Sequence, residues 1–165
     1  KMFGGENFFL GKYEHPDGGK LTFAPSIPGH VEHRQLANNS LNIMAGCFLA
    51  CTPGVNIKAK FGGLKALFSG EGAFLLESSG SGDIFFNSFG GIVKKEMNGE
   101  FIVDTGHVVA FDPSLDYIIT GMGNFKSTML SGEGLVMKFS GNGTLYLQTR
   151  NVSGVASWLT PRLLG

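Results

Sequence analysis

The chain repeats a glycine-rich stretch. Phe68-Ser69-Gly70-Glu71-Gly72-Ala73-Phe74 returns 62 residues later as Leu130-Ser131-Gly132-Glu133-Gly134-Leu135-Val136. A less exact first copy stands at Phe3-Gly4-Gly5-Glu6-Asn7-Phe8-Phe9. A period near 60 residues indicates that one folding unit is used several times. We therefore expect a repeat architecture, which favours a pseudosymmetric scaffold over a single catalytic centre.

Two further blocks repeat with the first one. Residues 80–86 match 141–147 and, in the first copy, 18–23, while residues 45–55 match 105–115 at an offset of 60. Glycine turns between aromatic and β-branched residues predict hairpins. Turn signals without sustained helical periodicity predict an all-β fold. We expect tandem curled β-sandwich or double-stranded β-helix-like repeats with internal pseudosymmetry.

The blocks also predict the domain organisation. Residues 1–39 are expected to be the C-terminal part of a first repeat, whose N-terminal part we expect upstream of Lys1. Residues 40–99 form the second repeat and residues 100–150 the third, and residues 151–165 form a tail. In the tail, Val155, Trp158 and Leu159 fall on one helical stripe, which predicts a short C-terminal helix. Proline lacks a backbone N–H, so Pro161 should end that helix.

The composition indicates which binding partners and which cellular location are expected. Thirteen basic and 13 acidic residues give no net charge, which argues against nucleic acid and anionic membranes as partners. No apolar run approaches the ~20 residues of a membrane span, and no secretory signal is recognisable. We expect a cytoplasmic protein without integral membrane association.

The two cysteines are expected to be buried, reduced thiols. Cys47 and Cys51 lie in a short apolar segment that predicts a strand. Four residues along a strand place their Cα atoms roughly 13 Å apart, beyond disulfide reach. The chain has no second cysteine pair for zinc, so neither a metal nor a cofactor is expected.

Several phrases together resemble a known family. They are Phe61-Gly62-Gly63-Leu64-Lys65, Leu67-Phe68-Ser69-Gly70-Glu71-Gly72, Val103-Asp104-Thr105-Gly106-His107-Val108-Val109-Ala110-Phe111 and Leu147-Gln148-Thr149-Arg150. In this order they resemble the family named for altered inheritance of mitochondria, or mitochondrial biogenesis proteins. The resemblance runs from about Gly4 to Trp158.

The resemblance implies a fold and leaves the activity open. It implies tandem units like those of the tryptophan RNA-binding attenuator protein, often assembled further. It also implies a cytoplasmic location for prokaryotic members, whereas fungal relatives are tied to mitochondrial organisation. The family provides no catalytic residues to carry over, and kinship with an RNA-binding fold does not transmit RNA binding.

The repeated glycine turns contain the candidate ligand-binding residues. Glu71 and Glu133 recur at one position, where backbone N–H groups of the turns are their expected partners; cation binding and catalysis remain alternatives. Lys65 and Lys126 precede these turns. A lysine beside free backbone N–H groups could hold a phosphate or a carboxylate, so binding of a small anion or metabolite is our alternative function.

Asp104, His107 and Asp112 form the best candidate cluster for chemistry, with Asp104 and His107 at its centre. A carboxylate beside an imidazole could tune a general base, as in a hydrolase or isomerase. His107 nevertheless aligns with Cys47 in the preceding repeat, which favours a structural histidine. We expect no catalytic residues and no enzymatic activity.

Apolar loops and the tail suggest self-association. Phe61, Leu64 and Phe68 before the glycine turn, with Trp158 and Leu159 in the tail, are too apolar to be left in water. We expect them to contact another repeat or subunit. The leading hypothesis is a non-enzymatic β-repeat protein that acts as a homo-oligomeric scaffold or interaction module.

Overall fold

The computed structural model describes residues 10–61, 74–121 and 135–163. Two 3-10 turns, Ala45–Cys47 and Thr105–His107, and one α-helix, α1 (Val152–Leu163), accompany eight strands. The strands are β1 (Val31–Met44), β2 (Phe48–Cys51), β3 (Val55–Phe61), β4 (Phe74–Asn87), β5 (Ile92–Asp104), β6 (Val108–Phe111), β7 (Asp116–Gly121) and β8 (Leu135–Gln148). The all-β prediction with a short C-terminal helix is confirmed.

The strands form one sheet made of two matching units. The path of neighbouring strands is β2-β4-β1-β6-β8-β5, while β3 pairs with β4 and β7 with β8. All these pairings are antiparallel. Unit one (31–87) and unit two (92–148) each contain a long strand, a 3-10 turn, two short strands and a second long strand.

A single β-bulge explains why the repeat offset changes along the chain. The β1–β4 register shifts between Ala37 and Asn39, and Asn38 there has a φ of 59°. The β5–β8 register runs without a shift. The extra residue in β1 reduces the offset between equivalent residues from 61 before the bulge to 60 after it.

The first long strand of each unit begins earlier than the predicted repeat boundaries. The expected boundaries at 39/40 and 99/100 fall inside β1 and β5. The reason is that β1 and β4 pair along their whole length, so that Gly80, which was predicted to lie in a hairpin turn, stands inside β4 opposite Asn39. The hairpin turns predicted at 80–82 and 141–143 are therefore wrong: these glycines lie within β4 and β8.

Residues 10–27 differ from the predicted hairpin around Gly18. They contain a turn, in which Gly18 N donates to His15 O at 3.1 Å, and no strand. A strand needs a neighbour for its backbone groups, and no described strand pairs with this segment.

The two units share their hydrophobic core. One cluster joins unit-one side chains to Val109, Ala110 and Tyr146 of unit two, and the other joins Leu75 of unit one to unit two. Phe86 and Tyr146 meet edge to face, with ring centroids 5.2 Å apart. The units therefore cannot separate without exposing apolar surface.

Helix α1 continues past the residue expected to stop it. Pro161 lies inside the helix, which ends at Leu163. Side chains provide local bonds here, because Thr160 Oγ1 donates to Ala156 O at 2.7 Å and the Arg162 guanidinium donates to Trp158 O. Among the described helices, none is long and apolar enough to cross a membrane.

Both cysteines are free, as predicted, although Cys47 ends a 3-10 turn and only Cys51 lies in a strand. Cys47 is buried and Cys51 is half-buried. Burial raises the pKa of the Cys47 thiol from 9.0 to about 11, and burial also raises the pKa of Cys51.

The buried thiol should make stability fall at high pH. In the unfolded chain Cys47 ionises near pH 9.0, whereas in the folded protein it stays protonated up to about pH 11. Stability is therefore unaffected below pH 9 and decreases by roughly 2 to 3 kcal/mol as the pH rises through this window. Urea denaturation of the wild type and Cys47→Ala across that range measures the difference. Equal pH slopes would contradict the assignment.

Candidate functional site

The junction between the units is a short ladder between β1 and β6. Asn42 pairs with Phe111 and Ile43 with Ala110. All four residues are buried, and three of them are fully inaccessible. In the part of the chain that the structure describes, this is the only strand pairing that joins unit one to unit two.

An ion pair crosses the same junction. Arg34 Nη1 on β1 lies 2.6 Å from Asp112 Oδ1, immediately after β6, and both side chains are mostly buried. Asp112 is also fixed to its own unit, because its Oδ2 accepts from Thr144 N at 2.8 Å and its N–H donates to Thr144 O at 2.9 Å. One carboxylate thus holds a turn of unit two and a cation of unit one.

The segments that enter and leave the units also pair with one another. His30 N donates to Gly90 O and Ser88 N donates to His30 O, both at 3.0 Å. The second of these bonds recurs 61 residues later, from Thr149 N to Gly91 O at 3.0 Å. The repeat therefore extends beyond the strands into the connections.

The strand equivalent to β1 in unit two leaves its edge uncovered. Ile102 of β5 corresponds to Asn42 of β1, yet Ile102 is 61% exposed and Asn42 is 6% exposed. The β5 strand ends the path of the sheet, with β8 on one side and no described strand on the other. The surface that β6 covers on unit one is thus open on unit two.

In unit one, the strand equivalent to β6 is β2, and it likewise has no described strand on its outer edge. All four residues of β6 are buried, whereas all four residues of β2 are half-buried. The same contrast holds beside these strands, because Tyr146 is buried while its equivalent Phe85 is half-buried and stacks on His33 at 5.0 Å. The β2 edge therefore resembles the face that unit two presents to unit one.

The two edges form a head and a tail. Among the described strands, none pairs with the β1-type outer edge of β5 or with the β6-type outer edge of β2. Exposed strand edges present backbone donors and acceptors that can pair with another chain. The arrangement can therefore extend the sheet by further units through the contact already present in the chain.

The predicted ligand-binding residues lie outside the described residues. These are Lys65, Lys126, Glu71 and Glu133, together with Leu64 and Phe68 of the predicted interface. Phe61 ends β3, but its side chain is also outside the described part. Anion binding at these turns therefore stays a prediction.

The tail residues Trp158 and Leu159 lie on α1 and remain accessible. Trp158 is 58% exposed, and helix α1 contains no buried residue. The Arg162 guanidinium lies 4.3 Å from the Trp158 ring centroid, as in a cation–π contact. A role of this helix in subunit contacts also stays a prediction.

Asp104 and His107 are bound to different partners. Asp104 Oδ1 accepts from Gly106 N at 2.7 Å and so caps the 3-10 turn. His107 Nδ1 lies 2.7 Å from Gln148 O, to which it must donate because a carbonyl only accepts. This geometry supports the structural interpretation of the pair.

The second nitrogen of His107 is also occupied. Asn151 Oδ1 accepts from Gly154 N at 2.6 Å, which turns Asn151 Nδ2 towards His107 Nε2 at 3.0 Å. With Nδ1 donating to Gln148 O, His107 Nε2 is the acceptor of the Asn151 amide N–H. The histidine orients the chain where β8 ends and α1 begins.

Residues 10–61, 74–121 and 135–163 contain no metal site, because no three His, Cys, Asp or Glu side chains group suitably there. The sequence did not reveal the junction or its open counterparts. The signal that could have suggested them is the replacement of polar Asn42 by apolar Ile102 at equivalent positions.

Comparisons with known proteins identify relatives over most of the chain. The family described as Mitochondrial biogenesis AIM24 matches residues 1–150. An uncharacterized protein of Streptococcus pyogenes serotype M6 is 34% identical over 161 residues, which is 96% of this chain and 65% of the relative.

A crystal structure of a Streptococcus pyogenes protein is also similar. It aligns with a TM-score of 0.74 and 31% identity over 84% of this chain and 62% of that one. The chain thus spans slightly less than two thirds of the length of these two relatives.

Proposed function

Because the chain belongs to the mitochondrial biogenesis AIM24 family, whose matched relative is uncharacterized, we propose a function from its geometry: a non-enzymatic assembly module that self-associates through its strand edges. The supporting observation is the contrast between Asn42, buried at the junction, and its exposed equivalent Ile102. The same surface is covered in one unit and open in the next.

The two open edges favour head-to-tail assembly. A β6-type edge on β2 of one copy complements the β1-type edge on β5 of another, just as β6 complements β1 within the chain. Contacts between unlike surfaces generate rings or filaments. We extend the proposal to a pseudosymmetric array of tandem units like those of the tryptophan RNA-binding attenuator protein, with the cytoplasm as its location.

Two exposed isoleucines provide matched positions for testing whether the β5 edge makes the contact. Ile102 on β5 and Ile118 on β7 both lie opposite Lys138 of β8, one on each side. Their exposures are 61% and 65%. Ile118 corresponds to the exposed Lys58 of unit one, so the junction within the chain does not cover this position.

Self-association should depend on Ile102 and not on Ile118. A lysine on a strand edge opposes pairing with another strand, because its charge would lose water at the new contact. We expect the wild type and Ile118→Lys to sediment as oligomers at micromolar concentrations, and Ile102→Lys to sediment as a monomer. A monomeric wild type, or equal behaviour of the two variants, would contradict the proposal.

A further inference from the structure

Thr52 and Asp112 occupy the same position in the two units. Asp112 N donates to Thr144 O at 2.9 Å and Thr144 N donates to Asp112 Oδ2 at 2.8 Å. In unit one, Thr52 N donates to Asp83 O at 2.9 Å and Asp83 N donates to Thr52 Oγ1 at 2.7 Å. Each side chain after the β2-type or β6-type strand thus fixes the same turn.

The two side chains differ in what they can offer to a neighbouring unit. The Asp112 carboxylate has a second oxygen, which binds Arg34 across the junction. Thr52 has one side-chain oxygen, and the Asp83 N–H already uses it. Unit two therefore presents a carboxylate to the unit that precedes it, whereas unit one has the uncharged Thr52 at the equivalent position.

Lys95 occupies the position of Arg34 in unit two. Arg34 lies opposite Ile84 in the β1–β4 register, and Lys95 lies opposite Leu145, the equivalent residue, in the β5–β8 register. The Lys95 ammonium lies 4.7 Å from the centroid of the Phe101 ring. Across the described ranges no carboxylate lies within ion-pair distance of it.

We propose that Lys95 is the cationic half of an ion pair whose carboxylate belongs to a further β unit. The preferred occupant of the β5 edge is then a unit of this same type with an Asp or Glu at the position that Asp112 holds, and a second copy of this chain, with Thr52 there, binds more weakly. This inference rests on the proposed function and adds a selection rule to it. The relatives, of which the chain covers 65% and 62%, have room for such a unit.

The selection rule follows from the charges at the contact. A partly desolvated lysine beside a carboxylate gains attraction, while beside a hydroxyl it loses water without that compensation. Thr52 of a second copy is therefore a poor partner for Lys95. Self-association through β5 and β2 of this chain is weaker than association with a unit that carries the acid.

Copying the acid into unit one tests the inference. Thr52→Asp combined with Asp83→Thr reproduces the Asp112–Thr144 pair and avoids placing two carboxylates together. We expect about tenfold tighter head-to-tail self-association in sedimentation equilibrium, decreasing at high salt. Asp83→Thr alone should leave the association constant at the wild-type value.

Adding Lys95→Ala to the double variant provides the decisive control. The tightening must disappear, because the new carboxylate then has no cation. No tightening in a folded double variant, or tightening that survives Lys95→Ala, overturns the role of Lys95. If the double variant does not fold, Lys95→Glu with Thr52→Lys reverses the pair, and absence of the same tightening there overturns the role.

The result separates this inference from the proposed function. If the wild type is oligomeric and its association does not depend on Lys95, the selection rule is wrong. The proposed assembly module then still stands. A monomeric wild type whose double variant associates, and does so only with Lys95 present, supports the ion pair and contradicts self-association of the natural chain.

Discussion

Replacing Gly29 by alanine is expected to destabilise the protein by roughly 3 kcal/mol or more. A Cβ at this position would lie 1.6 Å from the backbone carbonyl oxygen of Ser88. Neither backbone can move away easily, because Gly90 N donates to Pro28 O and Ser88 N donates to His30 O, both at 3.0 Å. The methyl group must therefore disrupt the pairing of residues 28–30 with residues 88–90.

Thermal and urea denaturation followed by circular dichroism measure this effect. For a chain of this length, the loss corresponds to a decrease in Tm on the order of 10 °C. Gly46→Ala is the matched control, since a Cβ there meets nothing within 4 Å and should change stability by less than ~0.5 kcal/mol. Equal stability of the two variants would refute the close approach at Gly29.

Truncation of Asp112 to alanine should have the second-largest effect. The change removes the carboxylate beside Arg34, whose guanidinium is mostly buried, and the acceptor of the Thr144 N–H. An unpaired cation and an unpaired donor at one place should together cost about 2 to 3 kcal/mol of unfolding free energy. Urea denaturation at low salt provides the measurement.

A threonine at position 112 separates the two contributions. Thr52 already shows that a hydroxyl can accept the equivalent backbone N–H, from Asp83. Asp112→Thr should therefore retain the turn and lose only the ion pair, with about half the effect of Asp112→Ala. In an Arg34→Ala background the Asp112→Thr change should be nearly neutral. A full effect in that background would show that the ion pair is not the cause.

Local features of the sequence were sufficient to predict the class of fold. Aromatic and β-branched residues around short glycine motifs encode antiparallel strands, although the glycines at 80–82 and 141–143 lie within strands and not in turns, and the repeat indicated that one unit occurs more than once. The helical stripe of Val155, Trp158 and Leu159 likewise located α1. The limits of the units were less accessible, because β1 and β5 extend past the repeated blocks and a bulge at Asn38 alters the offset.

The candidate site was less predictable than the fold. The sequence directed attention to Asp104 and His107, whose side chains bind Gly106, Gln148 and Asn151 separately. Taken alone, neither Ile102 nor Lys95 stands out, because they look like an ordinary apolar residue and an ordinary cation in a strand. Their interest arises only from comparison with Asn42 and Arg34, the equivalent residues at the covered junction.

By itself, the sequence determined that this protein is built from repeated antiparallel β units and that its two cysteines do not form a disulfide with each other. Those properties depend on residues close together in the chain, whose spacing sets turns and alternation. Only the tertiary structure decided which edges are covered. Every strand carries the same backbone N–H and C=O groups, so the partner of an edge is selected by long-range packing and charge, as between Arg34 and Asp112.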